Sequence, residues 1–276
     1  MCRDCGCSLG PTASRVPFAA AAPAPKGHVE SIEVITAILD ENDRVAKHNR
    51  EHFDAQGVFA LNLMSSPGSG KTSLLEATIK ALQGELNVAV IEGDLATEND
   101  AARIRACGVP AVQITTGNAC HLDAQMVHDA LHDLPLAGLD ILFVENVGNL
   151  VCPASFDLGV HRNLTLLSVP EGDDKPAKYP VMFRAADLSL ITKTDLLAYI
   201  TEFKLERARA ALRQIGFQGE SIELSNRGGE GFTAWLAWLG REVAAQRERS
   251  AKGETLRPNV QPDGASAHAA GHRPAR

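Results

Sequence analysis

A short glycine-rich segment has the residue types and spacing needed to bind a phosphate group. Its sequence is Ser-Ser-Pro-Gly-Ser-Gly-Lys-Thr over residues 65–72, between an apolar run and a helical pattern. Gly68 and Gly70 let the backbone wrap an anion, which the amides at the helix start then face. Lys71 would reach the β- and γ-phosphates, and the Thr72 hydroxyl would ligate Mg²⁺. The first position of such loops is usually glycine and is serine here, but the rest predicts a nucleoside triphosphate site.

Two acidic segments fit the Mg²⁺ and γ-phosphate positions of a GTPase. Asp94 ends the second predicted strand and could hold Mg²⁺ through water or orient the attacking water. Residues 145–148, Glu-Asn-Val-Gly, resemble the Asp-x-x-Gly element with glutamate for aspartate. Glu145 would contact the Mg²⁺ shell, and the Gly148 amide would sense the γ-phosphate.

A third segment indicates which base is read. Residues 192–195, Thr-Lys-Thr-Asp, resemble the guanine-reading Asn-Lys-x-Asp, with Thr192 in place of asparagine. Asp195 can accept two hydrogen bonds from guanine, whereas adenine has no matching donors. Lys193 would lie across the base, and Ser225 with the next residue, asparagine, could close the pocket. We therefore expect GTP rather than ATP.

These motifs define a complete set of predicted nucleotide-site residues. The nucleotide-binding residues are Ser66, Pro67, Gly68, Ser69, Gly70, Lys71, Thr72, Ser73, Lys193, Asp195 and Ser225. The Mg²⁺ residues are Thr72, Asp94 and Glu145, and the catalytic residues are Lys71, Asp94, Glu145 and Gly148. The sequence after Gly148 has no obvious counterpart of the water-orienting glutamine of fast GTPases, and no arginine finger is evident. Slow intrinsic hydrolysis is expected, rising on dimerisation or partner binding.

Three cysteines lie within one six-residue stretch near the start of the sequence, at Cys2, Cys5 and Cys7. A Cys-x-x-Cys pair can chelate one ion, and the glycine before Cys7 lets the third thiol join. Thiolates with the adjacent α-amino group in a square plane suit Ni²⁺, and a tetrahedral arrangement suits Zn²⁺. We favour a metal site over a redox pair.

A second set of thiols lies close to the predicted nucleotide loops. Cys120 and His121 follow the third predicted strand, and Cys152 lies four residues after Gly148. Parallel-sheet topology would bring these loops together as a three-ligand site for nickel or zinc, with His128 a weaker candidate for a fourth ligand. GTP hydrolysis could move the Cys152 loop and change the metal geometry. The remaining thiol, Cys107, is interpreted as a packed structural residue.

The elements that must position these residues alternate between strand and helix. Apolar strand patterns cover residues 58–64, 88–91, 111–114, 139–144, 164–169, 188–191 and 221–224. Helical patterns cover residues 31–52, 71–82, 99–106, 123–131, 202–215 and 231–246. This alternation predicts an α/β, three-layer P-loop NTPase fold with a mostly parallel central sheet. Ligands of such sheets bind at the carboxyl ends of the strands, where the motifs lie.

We expect three regions along the chain. Residues 1–27 would form the cysteine tip and a flexible Ala/Pro linker, residues 28–246 the GTPase domain with its metal site, and residues 247–276 a disordered tail. The net charge of −7 speaks against nucleic acid as the main partner. No apolar run approaches the ~20 residues of a membrane helix. A cytoplasmic protein without a membrane partner is therefore expected.

Taken together, the motifs resemble the hydrogenase nickel-incorporation GTPases, the HypB family within the SIMIBI class of P-loop GTPases. The similar stretches are the N-terminal cysteines and residues 62–72, 92–94, 116–124, 145–153, 171–176 and 178–180. The resemblance implies a tight nickel site at Cys2, Cys5 and Cys7. It places a nickel or zinc site of Cys120, His121 and Cys152 at the interface of a GTP-dependent homodimer.

The same resemblance implies GTP, Mg²⁺, Ni²⁺ and Zn²⁺ as bound species. It also implies GTP-driven insertion of nickel into [NiFe]-hydrogenase, with a HypA-type nickel/zinc accessory protein and the hydrogenase large subunit precursor as partners. Some members carry a long His-rich nickel-storage run, but here the corresponding region holds only His28. Delivery rather than storage is therefore expected.

Three alternatives remain open on the sequence. A urease-type nickel GTPase has a Cys-Pro-His metal motif, but Cys152 and Pro153 are followed here by alanine. A P-loop small-molecule kinase with a structural zinc would need an acceptor pocket. A metal-storage or sensing protein would bind nucleotide only as a regulator, and GTP turnover would distinguish it.

Overall fold

The computed structural model describes residues 27–94 and 99–259. Internal packing divides the chain into two units, residues 1–37 and residues 38–276. Of the first unit, only the start of helix α1 (Gly27–Gln56) is described. The predicted cysteine tip and linker lie outside the described residues, so these remain predictions.

The second unit is built on one seven-stranded sheet. Its strands are β1 (Phe59–Ser65), β2 (Val88–Asp94), β3 (Ala111–Thr115), β4 (Ile141–Glu145), β5 (Arg162–Ser168), β6 (Leu188–Thr192) and β7 (Glu220–Glu223). They lie in the order β3-β2-β4-β1-β5-β6-β7, and every described pair is parallel. All residues of β1 and β4 are buried, which is why both read as continuous apolar runs. The predicted α/β fold is confirmed.

Helices cover both faces of this sheet. After α1 they are α2 (Lys71–Leu82), α3 (Asn99–Ala106), α4 (Ala124–Leu131), α5 (Lys175–Lys178), α6 (Pro180–Arg184), α7 (Leu205–Gln214) and α8 (Glu230–Ala251). One core holds buried residues of α2 and α8 against the sheet. A second core, on the other side, holds Phe53 of α1 and Val127 of α4. A third packs α6 and α7 beside β6. This is the expected three-layer arrangement, and none of the described helices is long and apolar enough to cross a membrane.

The C-terminal segment differs from the sequence expectation. Residues 247–259 were assigned to a disordered tail, but α8 continues to Ala251 and Leu256 is buried in the core beyond it. The Arg257 carbonyl accepts a hydrogen bond from Arg162 Nη1 at 2.6 Å, and the Asn259 amide donates to Asp187 Oδ1 at 2.7 Å. The last turn of α8, a buried leucine and these two hydrogen bonds therefore hold part of the segment against the domain.

Candidate functional site

The phosphate-binding loop connects β1 to α2 at the carboxyl end of the sheet. Gly68 and Gly70 have φ of 77° and 101°, a region that favours glycine. Ser65, the residue that replaces the usual glycine, is fully buried, and its Oγ accepts hydrogen bonds from Lys71 Nζ at 3.0 Å and Ser69 Oγ at 2.5 Å. The serine is therefore compatible with the loop, because its hydroxyl is paired inside the turn.

Carboxylates gather beside this loop. Thr72 Oγ1 donates to Glu145 Oε1 at 3.0 Å, and Glu145 pairs in register with Glu92 across β2 and β4. Oxygens of Glu92, Asp100 and Glu145 lie within 4.8 Å of one another. Oε2 of Glu92 and Oε2 of Glu145 are buried without a hydrogen-bond partner. Unpaired buried carboxylate oxygens next to a P-loop threonine fit a hard cation such as Mg²⁺.

The same burial governs protonation of the two glutamates. Burial, followed by repulsion from Glu145, raises the pKa of Glu92 to about 8. Burial raises the pKa of Glu145 to about 7, opposed by Lys71 and by the Thr72 hydrogen bond. A divalent cation would oppose these shifts, because its positive charge stabilises the ionised carboxylates. The pair is therefore suited to hold a cation that neutralises charge on the phosphates.

The predicted base-reading segment lies at the end of β6. Lys193 has a left-handed conformation with φ of 59°, and its Nζ donates to the Gly68 carbonyl at 2.6 Å. Asp195 Oδ1 accepts a hydrogen bond from Ser225 Oγ at 2.9 Å. Thr192 Oγ1 donates to the carbonyl of Ser69 at 2.8 Å. Thr192, in the usual asparagine position, thus braces the base-reading segment against the phosphate loop.

One cavity of about 700 Å³ joins the phosphate, cation and base-reading regions. Predicted residues lining it are Pro67, Gly68, Gly70, Lys71, Thr72, Ser73, Asp94, Glu145, Gly148, Lys193, Asp195 and Ser225. Ser66 and Ser69 do not line it, and Ser69 is instead buried behind the loop. A cavity of this size and polarity can hold a nucleotide.

The predicted thiol site is assembled as expected. Cys120 Sγ lies 2.9 Å from Cys152 Sγ and 3.7 Å from His121 Nδ1, and all three ligand atoms fall within 4.8 Å of one another. Both cysteines are free thiols. Burial lowers the pKa of His121, and its ring stacks on Phe156 at 4.0 Å. The hydrogen bond that the Cys152 thiol shares with Cys120 is the main reason that the pKa of Cys152 is raised. Two thiols and a neutral imidazole suit nickel or zinc.

The buried side chain of Asn146 connects the segment of the thiol site to the nucleotide cavity. Asn146 follows Glu145, and its Oδ1 accepts hydrogen bonds from the amides of Leu122 at 3.1 Å and Val147 at 3.0 Å. Leu122 is the residue after His121. The loop is tight on its other side too, since a Cβ on Gly148 would lie 2.9 Å from the backbone nitrogen of Pro67. Direct contacts therefore run from the phosphate-binding loop to the segment that carries Cys120 and His121.

Other predicted metal residues lie elsewhere. His128 is not part of the Cys120–His121–Cys152 group, because its Nδ1 lies 3.0 Å from Asn49 Oδ1 and its ring packs near His48. Cys107 is half-buried against the apolar core, as expected of a structural thiol. The N-terminal cysteines 2, 5 and 7 lie outside the described residues.

The sequence reasoning missed several residues of the cavity. Among them are Glu92, Asp100, Arg103 and Arg227, whereas Asn226, expected beside Ser225, does line the cavity. Glu92 lies in the same Glu-Gly-Asp stretch as Asp94, but its place beside Glu145 follows only from the register of β2 against β4. Arg103 donates to both Asp100 and Glu76, so its guanidinium is held at the cavity edge by carboxylates. Its helical sequence context gave no signal of this position.

Comparison with known proteins gives consistent matches. The nucleotide-binding domain model of the CobW/HypB/UreG family matches residues 59–218. The chain is 54% identical to the hydrogenase maturation factor HypB of Escherichia coli strain K12 over 208 residues, covering 75% of this chain and 71% of the relative. It is 49% identical to the hydrogenase/urease maturation factor HypB of Helicobacter hepaticus over 195 residues, covering 69% of this chain and 79% of the relative.

The fold also superimposes on a solved relative. The crystal structure of HypB from Helicobacter pylori in complex with nickel matches with a TM-score of 0.72 and 39% identity. The match covers 75% of this chain and 97% of that one. It therefore includes most of the described sheet and helices.

Proposed function

The chain belongs to the CobW/HypB/UreG family, and we propose that it is a GTP-hydrolysing nickel metallochaperone that inserts nickel into [NiFe]-hydrogenase. The observation that carries the proposal is the contact of Asn146 with Leu122, which connects a P-loop cavity to a thiol and imidazole site. A nucleotide-binding protein that carries no metal does not need contacts between its nucleotide cavity and a thiol site. A metal-storage protein does not need its metal site to contact a nucleotide cavity.

Several groups of this chain would act on GTP. The backbone N–H groups of residues 68–72 would hold the phosphates, together with Lys71 Nζ. Both would stabilise negative charge on the phosphate oxygens. Asp195, already oriented by Ser225, would accept hydrogen bonds from the guanine edge. Gly148, packed against Pro67, would place its amide near the γ-phosphate.

Thr72, Glu145 and Glu92 are the groups suited to hold Mg²⁺, with Asp94 and Asp100 at the same edge of the cavity. When bound, the ion would neutralise charge shared between phosphate oxygens. Hydrolysis would be slow, because Arg103 is committed to carboxylates in the described structure. A partner or second copy would therefore accelerate it.

Nickel is the cargo in this proposal. Cys120, His121 and Cys152 supply three ligands and leave a position for a fourth from another chain, which favours a GTP-dependent homodimer. Cys2, Cys5 and Cys7 would form the second nickel site, and zinc could occupy the G-domain site between transfers. A HypA-type accessory protein and the hydrogenase large subunit precursor would be the partners, in the cytoplasm.

The test is a Ni²⁺ titration of reduced full-length protein with GDP or with a non-hydrolysable GTP analogue. We expect separable nickel events, one lost in Cys2→Ala/Cys5→Ala/Cys7→Ala. Another, lost in Cys120→Ala/Cys152→Ala, should shift with the nucleotide. A G-domain event whose affinity is the same with both nucleotides would overturn the gating proposal.

Urease is a second candidate client. The observation that favours it is the 49% identity to a relative named for both hydrogenase and urease maturation. Supplying the purified nickel-loaded protein to each apo-enzyme, with GTP, separates the two. Activation of the hydrogenase alone would remove urease from consideration.

A further inference from the structure

Four histidines form a cluster away from both sites described above. His48 and His52 lie one turn apart on α1, and His128 and His132 lie one turn apart at the end of α4. Ring centroids are 4.4 Å apart for His48 and His52, 5.2 Å for His48 and His128, and 5.2 Å for His128 and His132. The four rings therefore form a continuous group that spans two helices.

The α1 pair already has the separation of two metal ligands. Nε2 of His48 lies 3.0 Å from Nε2 of His52. Two imidazole nitrogens at about 2.1 Å from one ion, in adjacent positions at a right angle, are about 3.0 Å apart. Two neutral imidazoles can also share a hydrogen bond at this distance. The distance alone therefore does not identify a metal site, and the evidence for one comes from the third ring.

The third ring, His128, is held with a free lone pair. Asn49 is fully buried, and its Nδ2 donates to the carbonyls of Ala124 at 2.8 Å and Leu158 at 3.2 Å. Asn49 Oδ1 is therefore the acceptor that faces His128 Nδ1 at 3.0 Å, and the proton lies on Nδ1. Nε2 keeps its lone pair. Fixing one ring nitrogen by a hydrogen bond to an oxygen is what metal-ligating histidines usually require.

The surroundings favour the neutral ligand form. The pKa of His128 is lowered, chiefly by burial and further by His132, His48 and His52. His48, His52 and His132 are exposed, so a hydrated ion has access to the group. Imidazole nitrogen suits nickel, zinc, copper and cobalt and discriminates against magnesium and calcium.

We propose that His48 and His52 hold a divalent transition metal on the outer face of α1 and α4. His128 completes the site when its side chain rotates to bring Nε2 within reach of the same ion, and His132 lies beside it as a fourth imidazole. The site is separate from the thiol site, because Cys120 and His121 precede the first turn of α4 whereas His128 and His132 lie at its end. It stands independently of GTP hydrolysis. Such a site would hold Ni²⁺ on the surface with oxygen and nitrogen ligands only, more loosely than thiolates do.

The experiment removes the thiol sites first. In a full-length Cys2→Ser/Cys5→Ser/Cys7→Ser/Cys120→Ser/Cys152→Ser background, Ni²⁺ binding is measured by equilibrium dialysis and calorimetry. We expect His48→Gln/His52→Gln to lose about one equivalent of Ni²⁺. His128→Gln should weaken that equivalent by at least about tenfold, the lower end of what losing even an outer hydrogen-bond partner costs.

The matched control is His268→Gln/His272→Gln, which removes two histidines at the same four-residue spacing from the C-terminal region. It should retain the equivalent that His48→Gln/His52→Gln loses. Far-UV circular dichroism confirms the fold of each variant. Equal nickel binding in the background and in His48→Gln/His52→Gln would overturn the site. An unchanged affinity in His128→Gln would overturn the contribution of α4.

Discussion

At the scale of a single residue, the hydrogen bond between His161 and the central strand β1 makes the stability of the fold depend on pH. The amide of Ala60 in β1 donates to His161 Nδ1 at 2.9 Å, so that nitrogen carries no proton. Nε2 lies 3.1 Å from Asp54 Oδ1 and is therefore the protonated nitrogen. Burial lowers the pKa of His161 despite the nearby carboxylate. Protonation of Nδ1 would break the bond to β1 and leave a buried charge.

The sign of the pH dependence follows from this lowered pKa. The unfolded chain takes up a proton below about pH 6.5, whereas the folded chain takes it up only at a lower pH. The stability that neutral His161 provides is therefore present above pH 6.5 and is lost as the pH falls. We expect His161→Gln to reduce the acid-induced loss of unfolding free energy between pH 7.5 and pH 5 by up to about 1.4 kcal/mol per pH unit below 6.5. Urea denaturation in the presence of EDTA measures the free energy of unfolding at each pH. His132→Gln, an exposed histidine, is the control, and equal pH slopes in the wild type and His161→Gln would contradict the argument.

Residues also mark where sequence reasoning succeeds. Lys71, Thr72 and Asp195 were predictable because their motifs require short, fixed spacings. Glu92 was missed because its role depends on the register of β2 against β4, which no short motif encodes. The sequence makes His128 a candidate ligand of the thiol site only because it lies close to Cys120 and His121 along the chain. The contact with Asn49 comes from packing of α1 on α4.

At the scale of elements, the loop after β4 and the loop before α4 are joined through Asn146. Its Oδ1 holds Leu122, and its Nδ2 donates to Asn62 Oδ1 at 3.2 Å in β1. The strands and helices were predictable from hydrophobic period and the two sites from motif position. The hydrogen bond that links them was not, because it depends on side-chain geometry between distant segments.

We expect Asn146→Ala to uncouple the two sites. The nickel affinity measured with a GTP analogue and with GDP should become nearly equal, while GDP itself still binds. The substitution leaves the buried Leu122 amide unpaired, which costs about 1–3 kcal/mol of stability, so folding is checked by thermal melting. Asn62→Ala is the control, because it removes a buried amide of the same network and leaves the Leu122 contact. A nucleotide effect on nickel affinity as large as in the wild type would show that coupling runs elsewhere.

At the scale of the whole molecule, one exposed surface lies where the two sites meet. Val151 is 60% exposed and directly precedes Cys152, in the segment that follows Gly148. A thiol site with three ligands leaves one position open, and we propose that a ligand from outside the chain fills it. Val151, an exposed apolar side chain beside this site and close to the loop predicted to meet the γ-phosphate, then lies where a nucleotide-dependent dimer interface is expected.

Val151→Asp should therefore abolish dimerisation in the presence of Mg²⁺, Ni²⁺ and a GTP analogue, because the interface would have to bury an unpaired carboxylate. Sedimentation velocity gives the oligomeric state, and fluorescence titration gives the GDP affinity, which does not depend on the dimer and should stay unchanged. Ile38→Asp is the matched control, since Ile38 is an exposed apolar residue, 55% accessible, on α1. It should dimerise as the wild type does. Retained dimerisation in Val151→Asp would place the interface on another surface, and the fourth metal ligand would then have to come from a partner protein.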